Sequence, residues 1–263
     1  MKLRIFSAAA AACLLAGCGA RPPQSVSLAP YAPAAVPAGA QGDAIRFGRE
    51  LIVNTRKHLQ PYMRANMDCA ACHINGGTSA RGGDFAGTAA AFPQWNKRAR
   101  RVITLQDRLA ECFLYSMNGR PPAYASREMT ALAAYITYLS RGVPLGSKPD
   151  PALVLASITL PHADTKSGGA LYAQRCSACH GAGGAGNAQY PPLWGSRSFN
   201  DGAGMHRLRT MAGFIRYNMP QNAPGSLSDA QSFDIAAFVL SHRRPAFAKA
   251  RLVSFPAVRA DYF

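Results

Sequence analysis

The sequence predicts an all-α protein made of two tandem domains of the same design, joined by an extended linker. Three observations support this prediction. The short pattern Cys-x-x-Cys-His occurs twice in the chain. Similar helix and turn signals surround both copies, as expected of an internal duplication. The length of 263 residues also leaves room for two domains of roughly 100 residues each behind an export segment.

The repeated pattern has a specific chemical meaning. Its members are Cys69, Cys72 and His73 in the first copy, and Cys176, Cys179 and His180 in the second. Two thiols at this spacing can form thioether bonds to one haem, and the histidine that follows is placed to ligate the iron. A redox dithiol needs no such histidine, and a zinc site needs a second ligand pair. The pattern therefore predicts two covalently bound haem c groups.

The flanking signals predict a helix before and after each motif. Gly-x-x-Leu precedes both copies, at 48–51 and 168–171, and Pro-x-Trp follows both, at 93–95 and 192–194. Amphipathic patterns that begin with serine close the two halves, at 126–140 and 228–241, and both contain Ala-Ala-aromatic. Ser228 and Gln231 form a capping-box pattern. This succession resembles the class I cytochrome c fold, present twice.

The N-terminus predicts export. Basic residues are followed by a short apolar run and by Leu-Ala-Gly-Cys at 15–18, which resembles a bacterial lipobox. That resemblance implies cleavage before Cys18 and a lipid anchor on its thiol. Ordinary cleavage slightly later, with Cys18 incidental, is the alternative. Either way we expect the protein in the periplasm.

Composition divides the rest of the chain. A Pro/Ala-rich stretch predicts an extended tether, and four prolines among apolar residues mark the break between the domains. We predict a lipoprotein signal peptide at 1–18, the tether at 19–41, domain 1 at 42–143, a linker at 144–165, domain 2 at 166–245 and a C-terminal tail at 246–263.

In class I cytochromes c, the second ligand of the haem iron is usually a methionine on the loop before the closing helix. In domain 2 Met219 fits, because it follows the helix predicted at 205–217 and Pro220 stiffens its loop. Met205 and Met211 compete, although their helical spacing favours core packing. The position equivalent to Met219, counted from His73 instead of His180, is Cys112.

Cys112 is also the only one of seven cysteines without another predicted role. A buried inert thiol is the alternative, and Met117 and Met129 are fallback haem ligands. On the predicted helix 104–118, Arg108 and Ser116 flank Cys112 on one face. Arg98 lies upstream in a basic run, a pattern that usually marks solvated surface.

Longer stretches show a family resemblance. Cys-Phe-x-x-Ser-Met-Asn-Gly at 112–119, Leu-Ser-Arg-Gly-Val-Pro at 139–144, Pro-Pro-Leu-Trp-Gly at 191–195 and Asn-Met-Pro at 218–220 are similar to dihaem thiosulfate dehydrogenases. The resemblance implies that a haem ligated by His73 and Cys112 is the reaction centre. It places Arg98, Arg108 and Ser116 in the substrate pocket. Some members carry a lysine before the methionine that exchanges as ligand; here Asn218 implies plain His180/Met219 ligation.

The charge agrees with this reading. The chain has 29 basic and 13 acidic residues, which suits small dianions and anionic membranes. We expect no nucleic-acid partner, because the chain is exported and contains no recognisable nucleic-acid module. His58, His162, His206 and His242 are not assigned as ligands.

The resemblance thus implies an enzyme that oxidises two thiosulfate ions to tetrathionate, and we expect it to work through a sulfur adduct on Cys112 and to pass electrons through the second haem to an acceptor c-type cytochrome. Its preferred direction stays open. Two alternatives also stay open: a dihaem electron carrier without a substrate, and the cysteine-ligated subunit of a thiosulfate-oxidising multienzyme complex.

Overall fold

The computed structural model describes residues 36–147 and 162–247. The predicted signal peptide, including Cys18, lies outside these ranges. So do most of the tether, most of the linker and most of the C-terminal tail. Throughout the two described ranges, we find no helix whose length and apolar character would suffice to cross a membrane.

Helices dominate both halves of the chain. The first half contains α1 (Gly39–Val53), α2 (Thr55–His58), α3 (Ile74–Gly77), α4 (Leu105–Tyr115) and α5 (Arg127–Leu139), with a hairpin of β1 (Gln94–Asn96) and β2 (Arg101–Ile103). Short 3-10 helices lie at Gln60–Tyr62, Cys69–Ala71 and Thr88–Ala91. The second half contains α6 (Thr165–Arg175), α7 (Ser177–His180), a 3-10 helix at Gly204–His206, α8 (Leu208–Asn218) and α9 (Asp229–Ser241).

The two halves share one helix crossing. Helix α1 packs on α5, and α6 packs on α9 in the same manner. A side chain at Gly48 would collide with the carbonyl oxygen of Ala131, and one at Gly168 with that of Asp234. The glycine of Gly-x-x-Leu therefore allows close backbone contact, and the Ala-Ala-aromatic segment lies on the opposing helix.

Three helices begin where the sequence predicts, each directly after a residue that caps it. Ser126 accepts a hydrogen bond from the Met129 amide and caps α5. Ser228 forms a capping box with Gln231 at the start of α9, and Thr104 forms one with Asp107 at α4. Because α4 is fixed at its first turn, Cys112 has a defined position on the third turn of that helix.

Two boundaries differ from the sequence-based expectation. Helix α1 begins at Gly39, within the range predicted as tether, and Arg46 donates to the carbonyl of Pro37 at 3.4 Å. Helix α8 begins at Leu208 rather than at Met205, because Arg207 adopts an extended conformation after a 3-10 turn.

A small antiparallel hairpin occupies the predicted basic run. Gln94 pairs with Ile103, and Asn96 pairs with Arg101. The side-chain oxygen of Asn96 accepts from the amides of Arg98 at 2.8 Å and Ala99 at 3.0 Å, which closes the turn. The hairpin places the basic run beside α4 rather than leaving all of it as solvated surface.

The two halves meet along the C-terminal end of α4. Asn200 is fully buried, and its side-chain amide donates to the Leu114 carbonyl at 2.8 Å and to Asn118 Oδ1 at 3.3 Å. Its backbone amide donates to the Tyr115 carbonyl at 3.2 Å. A residue of the second half thus satisfies carbonyls that a helix end leaves without intrahelical partners.

Candidate active site

The imidazole of His73 is held by its surroundings in one orientation. Its Nδ1 lies 2.6 Å from the Gly83 carbonyl oxygen. Because a carbonyl can only accept, Nδ1 carries the proton and Nε2 keeps a lone pair for a metal. Phe85 stacks on the ring with centroids 4.2 Å apart. Burial lowers the pKa of His73 to about 4, which keeps the imidazole neutral.

The second copy of the motif is arranged in the same way. Nδ1 of His180 lies 3.0 Å from the Pro191 carbonyl oxygen, which again leaves Nε2 as a potential ligand. Burial lowers the pKa of His180 below its ordinary value. Both histidines therefore have the carbonyl partner that normally fixes the tautomer of a metal-bound imidazole.

The motif cysteines fit thioether attachment better than a redox or zinc role. All five cysteines in the part of the chain that the structure describes are free of disulfide bonds. Burial raises the pKa of Cys69 to about 12, and those of Cys72 and Cys176 to about 11. Such thiols are poor thiolates at neutral pH. Within 36–147 and 162–247, no group of three or more His, Cys, Asp or Glu residues is arranged to hold a metal ion.

The residues present thus fit one covalently bound haem in each half. In each, two thiols lie beside a histidine whose free nitrogen can ligate iron. The Cys69 amide donates to Thr55 at 2.8 Å, and Thr55 is itself buried, which anchors the first motif to α2.

Cys112 lies in the electrostatic neighbourhood of the first motif. It contributes to the raised pKa values of Cys69 and Cys72, after burial. It is also the largest cause of the raised pKa of Arg108. These interactions indicate that α4 carries the half-buried Cys112 thiol into the vicinity of the attachment cysteines of the first domain, with Arg108 one helical turn before it.

Arg98 and Arg108 converge on a residue that sequence reasoning missed. Glu111 is buried, and Arg108 Nη1 lies 3.4 Å from its Oε2. Asn96 donates to the same carboxylate at 3.2 Å. Burial raises the pKa of Glu111, while Arg108 and Arg98 oppose that rise. The i,i+3 spacing of Arg108 and Glu111 on one helix was the available sequence signal.

Arg98 also bridges the two halves. Its guanidinium carbon lies 4.2 Å from the ring centroid of Tyr115, and Nη1 donates to the Gly202 carbonyl at 2.9 Å. Because Arg98 and Gly202 lie far apart in the chain, their contact depends on tertiary packing, and no local sequence pattern could have indicated it.

The remaining predicted residues have these positions. Ser116 is the C-cap of α4 and is half-buried, with its amide bonded to the Cys112 carbonyl. Met219 directly follows α8 and packs against the core. The competing methionines Met117, Met129 and Met211 are buried core residues, whereas Met205 is half-buried.

The four unassigned histidines lie elsewhere. His242 stacks on Trp194 with centroids 4.0 Å apart, and His58 lies 2.9 Å from Glu50. His162 is exposed, and burial lowers the pKa of His206.

Comparisons with known proteins identify the family. The model for "SoxA/TsdA, cytochrome c domain" matches residues 58–145, and that for "Cytochrome C oxidase, cbb3-type, subunit III" matches residues 163–239. A thiosulfate dehydrogenase from Allochromatium vinosum is 41% identical over 244 residues, which cover 87% of this chain and 88% of the relative. The chain belongs to the thiosulfate dehydrogenase family.

Two further comparisons agree. A thiosulfate dehydrogenase from Stutzerimonas stutzeri is 38% identical over 86% of this chain and 73% of its own length. The solved structure of thiosulfate dehydrogenase TsdBA from Marichromatium purpuratum matches with a TM-score of 0.74 and 34% identity. That match covers 82% of this chain, which spans 49% of the solved chain.

Membership of the thiosulfate dehydrogenase family confirms three predictions. The family itself was recognised from sequence, the fold is two class I cytochrome c domains, and the cofactors are two covalently bound c-type haems. The hairpin is a small addition to this helical fold and does not change its class.

Proposed function

We propose that the chain is a thiosulfate dehydrogenase that joins two thiosulfate ions into tetrathionate at Cys112. The observation that carries this proposal is the placement of Cys112 on α4, one helical turn after Arg108 and in electrostatic interaction with Cys69 and Cys72. The similarity to two thiosulfate dehydrogenases over 88% and 73% of their lengths supports the choice of substrate.

The proposed ligands and attachment points follow from the site. Cys69 and Cys72 would hold the first haem, and His73 and Cys112 would ligate its iron. Cys176 and Cys179 hold the second haem, with His180 and Met219 as ligands. The carbonyl partners of the two histidines support this assignment, because each leaves Nε2 available.

The chemistry balances as two sulfur–sulfur bond changes. The outer sulfur of one thiosulfate bonds to the Cys112 thiolate, and this step releases two electrons. The outer sulfur of a second thiosulfate then attacks the adduct, which forms the central bond of tetrathionate and returns the thiolate. The haems, when bound, supply two one-electron acceptor centres. No net proton is consumed or released.

The chain's charges support this sequence of steps. Two dianions must approach each other, and their repulsion is offset by cations in the pocket. Arg108 precedes Cys112 by one helical turn and lies 3.4 Å from the Glu111 carboxylate, whose pKa Arg98 also lowers. Arg98 and Arg108 hold the anions, while Ser116, one turn beyond Cys112, donates to a sulfonate oxygen. Glu111 limits the net positive charge that these guanidiniums present.

We infer that electrons leave through the second domain. Methionine ligation raises a haem potential, and an anionic thiolate lowers it. Bound haems with these ligands would therefore pass electrons from the first domain to the second and on to an acceptor c-type cytochrome. Potentiometric titration that placed the second haem below the first would contradict this direction.

The protein is proposed to act in the periplasm, anchored through a lipid on Cys18. The support is the signal-like N-terminus and the lipobox resemblance at 15–18. Cell fractionation of the native chain and of Cys18→Ala tests this. Release of the variant, but not the native chain, from membranes is the expected result; equal distribution would contradict it.

A steady-state assay of the purified holoprotein tests the proposed activity. Free thiosulfate with an artificial one-electron acceptor should give tetrathionate, and the reverse reaction should be measured with tetrathionate and a reductant. A multienzyme-complex subunit is the second candidate, favoured by the joint SoxA/TsdA description of the first domain. That candidate requires partner proteins, so turnover by the isolated chain would exclude it. Lack of turnover in both directions would contradict our proposal.

A further inference from the structure

The segment 81–83 lies between the predicted ligand loop of the second haem and His73 of the first. Asn218, which directly precedes Met219, donates from Nδ2 to the Arg81 carbonyl at 2.6 Å. The same group donates to the Phe214 carbonyl at 3.0 Å, and Asn218 is only 8% exposed. This side chain therefore joins the end of α8 to a loop of the other domain.

A second contact holds the same segment. The Arg81 guanidinium carbon lies 4.3 Å from the ring centroid of Tyr217, the residue before Asn218. Arg81 also adopts a φ of 63°, a left-handed conformation that is unfavourable for a residue with a side chain. Such a conformation persists where surrounding contacts hold it, and two consecutive residues of α8 supply them here.

The other end of the segment contacts His73 directly. The carbonyl of Gly83 accepts the hydrogen bond from His73 Nδ1. A side chain at Gly83 would collide with the Cys72 carbonyl, and its φ of 67° also favours glycine. The carbonyl that orients His73 is therefore only two residues from the carbonyl that Asn218 holds.

We propose that Asn218 is a positioning residue that couples the two haem sites: by holding the Arg81 carbonyl, it sets the hydrogen bond between Gly83 and His73. This inference rests on the haem ligands given under the proposed function. A strong hydrogen bond from Nδ1 makes an imidazole ligand more basic, which favours the oxidised iron. Asn218, on the second domain, thus lowers the reduction potential of the first haem.

The test compares Asn218→Ala with Asn222→Ala in the holoprotein. Asn222 is exposed on the same loop and provides a matched change of side chain. Each variant is titrated potentiometrically while both haems are followed by absorption and by electron paramagnetic resonance. The methionine-to-iron absorption band identifies the second haem, so the other signal belongs to the His73 haem. Asn218→Leu serves as a second variant that keeps the volume but removes the donor.

The expected result is a positive shift in the potential of the His73 haem in both Asn218 variants, and none in Asn222→Ala. A change confined to the second haem, or no change in either, would overturn the coupling. Absence of a thiolate-ligated signal from the native protein is a different result. That result would show that Cys112 does not ligate the haem iron, and the proposed function would fail. The potential of the His73 haem in the Asn218 variants would still decide whether the two sites are coupled.

Discussion

The amide of Asn200 donates to the Leu114 carbonyl at 2.8 Å across the boundary between the two domains. Leu114 lies on α4, two residues after Cys112, and both partners are fully buried. A residue of the second domain thus completes the C-terminal end of the helix that carries the proposed nucleophile. This contact ties the position of Cys112 to the docking of the second domain.

Replacement of Asn200 should therefore destabilise the protein. Asn200→Ala removes the donor and leaves the Leu114 carbonyl buried without that partner, which costs about 1–3 kcal/mol. Denaturant unfolding of the holoprotein, with Asn222→Ala as the exposed control, measures this difference. Equal midpoints for the two variants would show that the interdomain contact adds nothing to stability.

The paired helix crossings predict a second stability effect. Gly48→Ala and Gly168→Ala would each force a methyl group against a backbone carbonyl, with an expected loss of about 1–3 kcal/mol or more. Gly183→Ala is the matched control, because a side chain there would meet nothing within 4 Å. In thermal unfolding, both crossing variants should have a clearly lower Tm than Gly183→Ala. An equal loss of Tm in Gly183→Ala would contradict this explanation.

Much of this architecture could be predicted from sequence because it depends on local signals. Thr104, Ser126 and Ser228 cap the helices that follow them, and such capping involves only neighbouring residues. The haem-binding pattern is also local. The contact of Asn218 with Arg81 could not be predicted in this way, because it joins segments far apart in the chain.

The basic run shows the same limit. Its charges indicated solvent exposure, and Lys97, Arg98 and Arg100 are exposed; the sequence did not indicate that Arg98 also packs on Tyr115 or that the half-buried Arg101 pairs with Asp107 at 3.0 Å. The hairpin that brings them there is closed by the side chain of Asn96, whose role depends on the observed turn. Cys112 could be selected from the sequence by its register relative to His73, but its buried neighbour Glu111 emerged only from the structure.

Arg108 should be required for efficient use of thiosulfate. Arg108→Gln removes the cation beside Cys112 but keeps a side chain of similar reach. Loss of one charge-assisted contact to a dianion predicts a fall in kcat/KM of roughly ten- to hundredfold. Steady-state kinetics at low salt measure it, with Arg100→Gln in the exposed hairpin turn as the control. A similar loss in both variants would indicate general steering rather than a specific contact.

Glu111 should make substrate binding depend on pH. Burial raises the pKa of its carboxyl above the ordinary value of about 4.3. As pH falls through this raised pKa, the carboxylate becomes neutral, and Arg108 then presents more positive charge to thiosulfate. We therefore expect KM to decrease toward acidic pH in the native protein.

Glu111→Gln provides the check on that assignment. The amide is neutral at every pH, so the variant should have the lower KM already at neutral pH and lose the acidic change. Initial rates measured from about pH 4.5 to pH 8 would show this. A variant that kept the native pH profile would assign the dependence to another group.

The most direct test of the central claim is tetrathionate formation by Cys112→Gly, measured beside the native protein and Met117→Leu. We predict that Cys112→Gly retains both haems and loses turnover, while Met117→Leu, which changes only a buried core residue, stays active. Near-native turnover by Cys112→Gly with both haems bound would contradict sulfur chemistry at Cys112.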